Sequence, residues 1–163
     1  MLKLEIRREK TKLLDNIKNL KDKVGKVGWF ENSKYSTGEQ LPVAYVAAVH
    51  EYGNPAKHIP ARPFMRPTID EKQNEWKGII EKGAKQVVAG KSTLDAVLEA
   101  VGSRAAGEIR KKIASIQSPA LSPKTIANRL KKKANKKVIG KLTKPLIETG
   151  VLYGTLTNTV EDI

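Results

Sequence analysis

Two histidines, His50 and His58, are the residues of this 163-residue chain best suited to proton transfer or metal ligation near neutral pH. His50-Glu51 begins like the helical zinc-hydrolase signature. That chemistry needs a second histidine four residues on, and position 54 is asparagine. The chain has no cysteine, so thiolate metal sites and disulfides are excluded. A metal would have to be held by histidine and carboxylates alone, and the plainer reading of both histidines is structural or surface. Gly25-x-x-Gly28 lies beside a strand-like segment but lacks the rest of a nucleotide-binding fingerprint, so it reads as a turn. No nucleophile elbow or paired-carboxylate signature is present. The sequence therefore assigns no catalytic, cofactor-binding or metal residue, and an enzyme is not expected.

The other chemistry on offer is that of charge. The net charge is +14. Between Arg104 and Lys144 there are 13 Lys or Arg and a single acid, Glu108. The rest of the chain is close to balanced. Such a block points to a polyanion, an acidic protein surface or a solvated arm. Within it, Leu121–Lys133 (LSPKTIANRLKKK) resembles the start of a DNA-reading helix, with Asn128 and Arg129 able to face base edges. A helix-turn-helix needs a packed helix joined by a short turn, whereas Ser118–Pro123 carries two prolines. A solvated face suits Lys131, Lys132 and Lys133 equally well.

Behind these residues the pattern predicts mostly helix. Lys10–Lys23 repeats Leu13, Leu14, Ile17, Leu20 and Val24 at helical spacing. Val24–Phe30 has the composition of a strand. Pro42–Tyr52 reads as a short, unusually apolar helix stopped by Gly53. Asn54–Arg66, with Pro55, Pro60 and Pro63 and then Pro67, reads as extended. Two long helices follow, Thr68 to about Ala89 and Ser92 to about Ser115, the second opened by Ser92 with Asp95. Trp76, Ile80, Leu98 and Val101 are expected in the core. Gly102 and Gly107 are candidates for close helix packing. Ser122-Pro123 opens a helix to about Lys132, and Leu156–Val160 is a short final strand. Hydrophobic residues are 39% of the chain and aromatics 5%, so the core must rest on aliphatics. No stretch has the roughly 20 apolar residues of a membrane span, and the N-terminus lacks the apolar run of a secretion signal. The fold class expected is α+β: a small antiparallel sheet packed against two long helices, with extended arms or loops. The expected organisation is a single domain over 1–163 with a basic arm or loop at about 118–144.

Two segments carry a family resemblance. Val46–Ile69 contains AVHEYGNPAKHIPARPFMRPTI; Ala120–Val160 contains ALSPKTIANRL and then KPLIETGVLYGTLTNTV. An apolar helix ending His-Glu-Tyr-Gly, an Ile-Pro-Ala-Arg-Pro-Phe segment and a late Lys-Pro-Leu-Ile-Glu-Thr-Gly-x-Leu resemble, in that order, the virion-morphogenesis and tail-completion (neck) proteins of tailed bacteriophages. The resemblance implies a ring, a hexamer, at the head–tail junction. Its partners would be copies of itself, the head-completion or connector protein, and the tail terminator or tail tube protein. Genome DNA would pass nearby without sequence-specific binding, no membrane would be involved, and no cofactor would be required. The chain would be assembled in the host cytoplasm and reside in the virion. The allied tail-terminator role fits the same residues, and a basic nucleic-acid-binding module using 104–144 is the alternative from another class.

A ring subunit needs two complementary faces, because a heterologous contact closes only by rotation. Arg62 and Phe64 are interface candidates by residue type; their simpler reading is core for Phe64 and a surface or intrachain pair for Arg62. Arg129, Lys131, Lys132 and Lys133 are the candidates from the basic block. Most of Arg110–Lys144 is expected to face outward or across a subunit interface, because a strongly basic lumen would bind the passing genome. Glu148-Thr149-Gly150 reads as a turn with Gly150 at positive φ.

Overall fold

A computed structural model describes residues 15, 23–31, 33–35, 40–134 and 142–163, and no side chain of 133 or 134. The helix expected at Lys10–Lys23 lies outside the described residues, Asp15 apart. Lys23 already belongs to a strand, β1 (Lys23–Gly28). Then come α1 (Val43–Tyr52), a 3-10 turn (Pro55–Lys57), α2 (Met65–Val88), α3 (Leu94–Ser115), α4 (Pro123–Ala134), α5 (Val151–Gly154) and β2 (Thr157–Asp162). The fold is α+β, a two-stranded antiparallel sheet of β1 and β2 packed against long helices.

Helix boundaries follow from backbone accounting. The sequence places the start of α2 after Pro67, yet the helix begins at Met65. A proline in the first turn removes only an N–H that has no intrahelical acceptor. Thr93, rather than Ser92 with Asp95, caps α3: its Oγ1 accepts from the Ala96 N–H at 3.2 Å. Asp95 turns instead to Lys23 Nζ at 2.9 Å. Ser122 caps α4 as expected, accepting from the Thr125 N–H at 3.2 Å. Gly53 sits at φ 79, and a Cβ there would lie 2.9 Å from the Ala61 nitrogen, so glycine is required. Gly150 also takes positive φ, at 77.

The described residues group into two compact units. The first comprises the described residues within 1–27, with Lys72–Ala105 and Asn158–Ile163. In it, α2 meets α3 through Gly83, where a Cβ would lie 2.4 Å from Val97 Cγ1. Gly102 of α3 packs on Asn158 of β2, and Gly25 of β1 on Leu98. The helix–helix contact is thus made by Gly83, while Gly102 admits the strand and Gly107 has nothing within 4 Å. Because glycine and valine meet at the crossing, the larger side chains sit at its margin. Trp76, Leu98 and Val101 are only half-buried and Ile80 is 41% exposed, against the expectation of full burial. Lys23 bridges Asp95 and Asp162, which holds its ammonium up to about 12.

The second unit comprises the described residues within 28–71 and 106–157. Its core holds Val43, Ala47, Phe64, Ala106, Ile109, Ile113, Leu146, Leu152 and Leu156. Trp29 meets Phe64 edge to face at 5.8 Å and donates its indole N–H to the Leu152 carbonyl at 2.9 Å. Arg110 donates to the carbonyls of Tyr153 and Leu156, fixing the turn of α5 to α3.

Candidate functional site

The second unit holds the described residues that carried the family resemblance as far as Thr157, and they interlock. On α1, Val43, Ala47 and Glu51 fall on one buried stripe. An acid on such a stripe must find partners, since burying an unpaired carboxylate is costly. Glu51 finds the open N-terminus of α2, accepting from the N–H groups of Phe64 (2.7 Å), Met65 (2.9 Å) and Arg66 (3.1 Å). The Arg66 guanidinium adds a 3.1 Å bond. Burial opposes the charged form, but these four donors outweigh it and hold the carboxyl below its usual range. The helix's positive end favours the same form. One residue back, the His50 carbonyl accepts from the Arg62 N–H at 2.7 Å. The segment Ile59–Phe64 is thereby strapped along the end of α1.

Arg62 and Arg129 are both 4% exposed. Arg62 donates to the carbonyls of Pro119 (2.7 Å) and Ala120 (3.0 Å), joining the proline-rich segment to the chain that enters α4. Arg129 donates through Nη1 to Leu142 and Lys144 and through Nη2 to Pro145. Its Nε lies 3.4 Å from Glu148 Oε2, close enough for charge attraction but too poorly aligned to count as a hydrogen bond. Lys132 completes the pairing with Glu148 at 2.8 Å. A guanidinium with fixed fork geometry is suited to gathering carbonyls that no helix or sheet satisfies.

Arg129, Lys132 and Glu148 border a cleft of about 280 Å³, walled by Leu41, Val46, Leu146 and Leu152, with His50 and Tyr35 among its other polar residues. His50 Nδ1 is buried there with no hydrogen-bond partner among the described residues. Burial first, and then the positive charges of Arg62 and Arg129, push the His50 imidazole down toward its neutral form. Burial, and then Glu148, push the Tyr35 phenol up. A neutral imidazole and an un-ionised phenol lie beside an Arg–Glu–Lys group in which one carboxylate serves two cations, leaving one net positive charge. Among the described residues there is no group of three or more His, Asp or Glu able to hold a metal, and no helix long and apolar enough to cross a membrane.

The structure places the sequence-derived candidates differently from one another. Phe64 is fully buried against Trp29, Arg62 is an interior brace on two carbonyls, and Arg129 is one through both Nη atoms. Arg129 therefore cannot present itself to base edges, while its neighbour Asn128 is exposed. Lys131 is exposed, Lys132 is exposed but paired with Glu148, and the side chain of Lys133 lies outside the described residues. The stretch expected as a basic arm at 118–144 is, over Pro123–Ala134, a helix anchored by Arg129. Residues 135–141 lie outside the described residues. Sequence reasoning gave Glu51 no role, although its place eight residues after Val43 on an apolar helix face was a usable signal.

Comparison with protein-family models gives no match, and no solved structure matches. An uncharacterized protein of Methanocaldococcus jannaschii is 44% identical over 41 residues, which is 25% of this chain and 30% of that protein. The chain thus spans under a third of the length of the relative it matches.

Proposed function

We propose that this chain is a structural virion protein of a tailed bacteriophage, acting without catalysis at the head–tail junction. In this reading it forms a ring that completes the tail and joins it to the capsid connector. The single observation that carries the reading is the interlocking of the two resemblance segments. Glu51 of His-Glu-Tyr-Gly caps the helix that follows Ile-Pro-Ala-Arg-Pro-Phe. Leu146, Glu148 and Gly150 of the late segment border the same cleft as His50. Glu51 is spent on backbone N–H groups, and Arg62 and Arg129 on backbone carbonyls, as suits a scaffold that must hold its shape under assembly load. The ring partners are copies of this chain, the connector or head-completion protein on one side, and the tail terminator or tail tube protein on the other. The tail-terminator role is the near alternative within this class.

A second reading, a nucleic-acid-binding module, is favoured by one feature: Lys124, Asn128 and Lys131 share the exposed side of α4. Deleting the gene from the encoding phage separates the two. Under the head–tail reading, the lysate accumulates full heads and free tails, and added purified protein restores infectious particles. Under the nucleic-acid reading, joined particles form without the protein, and it binds duplex DNA with an affinity that falls steeply with salt.

A further inference from the structure

The cleft of the second unit joins the two resemblance segments, but its polar groups are not balanced among themselves. Helix α1 brings Val46 and His50 to it, and α4 brings Arg129 and Lys132, each pair about one helical turn apart. The late segment adds Leu146, Glu148 and Leu152. Arg129 and Lys132 supply two positive charges and Glu148 lies against both, so one positive charge is left over. His50, held neutral by burial and by Arg62 and Arg129, and Tyr35, held un-ionised by burial and Glu148, do not cancel it. Water does not fully screen it either, because Arg129 is 4% exposed. Its Nε is buried with no hydrogen-bond partner among the described residues, and His50 Nδ1 is in the same condition. Folded proteins leave few buried polar atoms unpaired, so two of them on residues of one cleft mark a place for a polar guest.

We propose that this cleft binds a small carboxylate with an aliphatic body, its anionic end beside Lys132 and Arg129 and its body against Leu41, Val46, Leu146 and Leu152. The charge sets the head group. One surplus positive charge matches a carboxylate, whereas a phosphate monoester brings about 1.5–2 negative charges. The walls set the body. A bare ion would leave four aliphatic side chains unused, while an aliphatic chain removes apolar surface from water against them. The volume sets the size. At about 280 Å³ the cleft lies at the lower edge of the roughly 300–1,000 Å³ of ligand sites, so the occupant is small. A free branched-chain acid and the C-terminal leucine of a partner peptide present the same group, and the experiment separates these two sources. The inference stands apart from the head–tail reading and does not depend on it.

Calorimetry and histidine-ring NMR on the full chain test this. Isocaproate should bind with a Kd of about 1 mM or tighter. Acetate (the charge without the body), isohexyl alcohol (the body without the charge) and inorganic phosphate should each bind about tenfold more weakly or not at all. The chain has two histidines, so the ring signals of His50 should move on binding and those of His58 should stay. A short peptide ending in leucine, compared with its C-terminal amide, reads the source. Tighter binding of the free-acid peptide than of isocaproate assigns the cleft to a partner's C-terminus, and weaker binding assigns it to a free acid. Lys132→Gln should weaken isocaproate binding about tenfold, and Glu148→Gln, which removes the competing carboxylate, should tighten it. Both variants break one ion pair, so a purely structural effect would move them together. If Glu148→Gln fails to fold, Lys132→Glu, at an exposed side chain, should abolish binding. No binding of isocaproate or of the peptide, equal binding of acetate or phosphate, movement of His58 alone, or weaker binding in both the Lys132→Gln and Glu148→Gln variants would overturn the proposal.

Discussion

Replacing Glu51 with alanine strips the first turn of α2 of its acceptor. The Phe64, Met65 and Arg66 N–H groups lose bonds of 2.7, 2.9 and 3.1 Å to a carboxylate whose residue is 4% exposed. A helix cap on the surface contributes about 0.5–2 kcal/mol. Bonds to a charged acceptor in the interior contribute about 1.5–3 kcal/mol each before water replaces any of them. The Arg66 pair adds little, because that side chain is 55% exposed. Glu51→Ala should therefore cost about 3 kcal/mol in urea unfolding, and Glu51→Gln, which keeps one carbonyl acceptor, about half as much. Arg66→Met should cost under about 1 kcal/mol. The reasoning fails if Glu51→Ala costs less than about 1 kcal/mol, or if Arg66→Met matches it, since the ion pair and not the helix terminus would then be the source. The carboxyl is held below 4.5, so its contribution is present above that pH and lost as pH falls through the folded value. Glu51→Gln should flatten the acid limb of the stability curve.

His50 titrates in an earlier window. Its imidazole is pushed below 6.5, so native stability is full above that pH and declines below it. His50→Gln should remove this first decline and leave the Glu51 limb in place, as thermal unfolding across pH will record. Arg129→Met keeps the apolar stem but abandons three backbone carbonyls, and should cost about 3 kcal/mol in urea unfolding. Arg129→Lys should recover little of that, because an ammonium cannot span the same fork. Gly83→Ala should destabilise by about 1–3 kcal/mol in spite of its better helix propensity, since its Cβ would collide with Val97. Gly107→Ala, with nothing within 4 Å, should gain up to about 1 kcal/mol in the same assay.

Much of the element order was legible, because local signals decide it. The apolar run before Gly53, the Ser122 cap and the final strand are fixed by short-range chemistry and appear where the sequence puts them. The start of α2 was misplaced because Pro67 was grouped with the prolines of the extended segment, although a first-turn proline gives up nothing. Burial was harder to read. The stripe through Trp76 and Ile80 is helical in period, but period does not say that Gly83 and Val97 would set the crossing and leave Ile80 outside. The basic block misled for a related reason. Its charge is visible in sequence, whereas the inward turn of Arg129 depends on carbonyls 13 to 16 residues away along the chain. Arg62 and Phe64 belong to the interior through partners at comparable or greater separation.

The central claim is that the chain completes the head–tail junction, and imaging tests it most directly. Purified protein is mixed with tails from a lysate of phage lacking the gene, and the tails are examined by negative-stain electron microscopy. The account predicts a ring of the added protein capping one end of each tail, and tails so capped that then join filled heads. Bare tail ends that join heads equally well with or without the protein would contradict it.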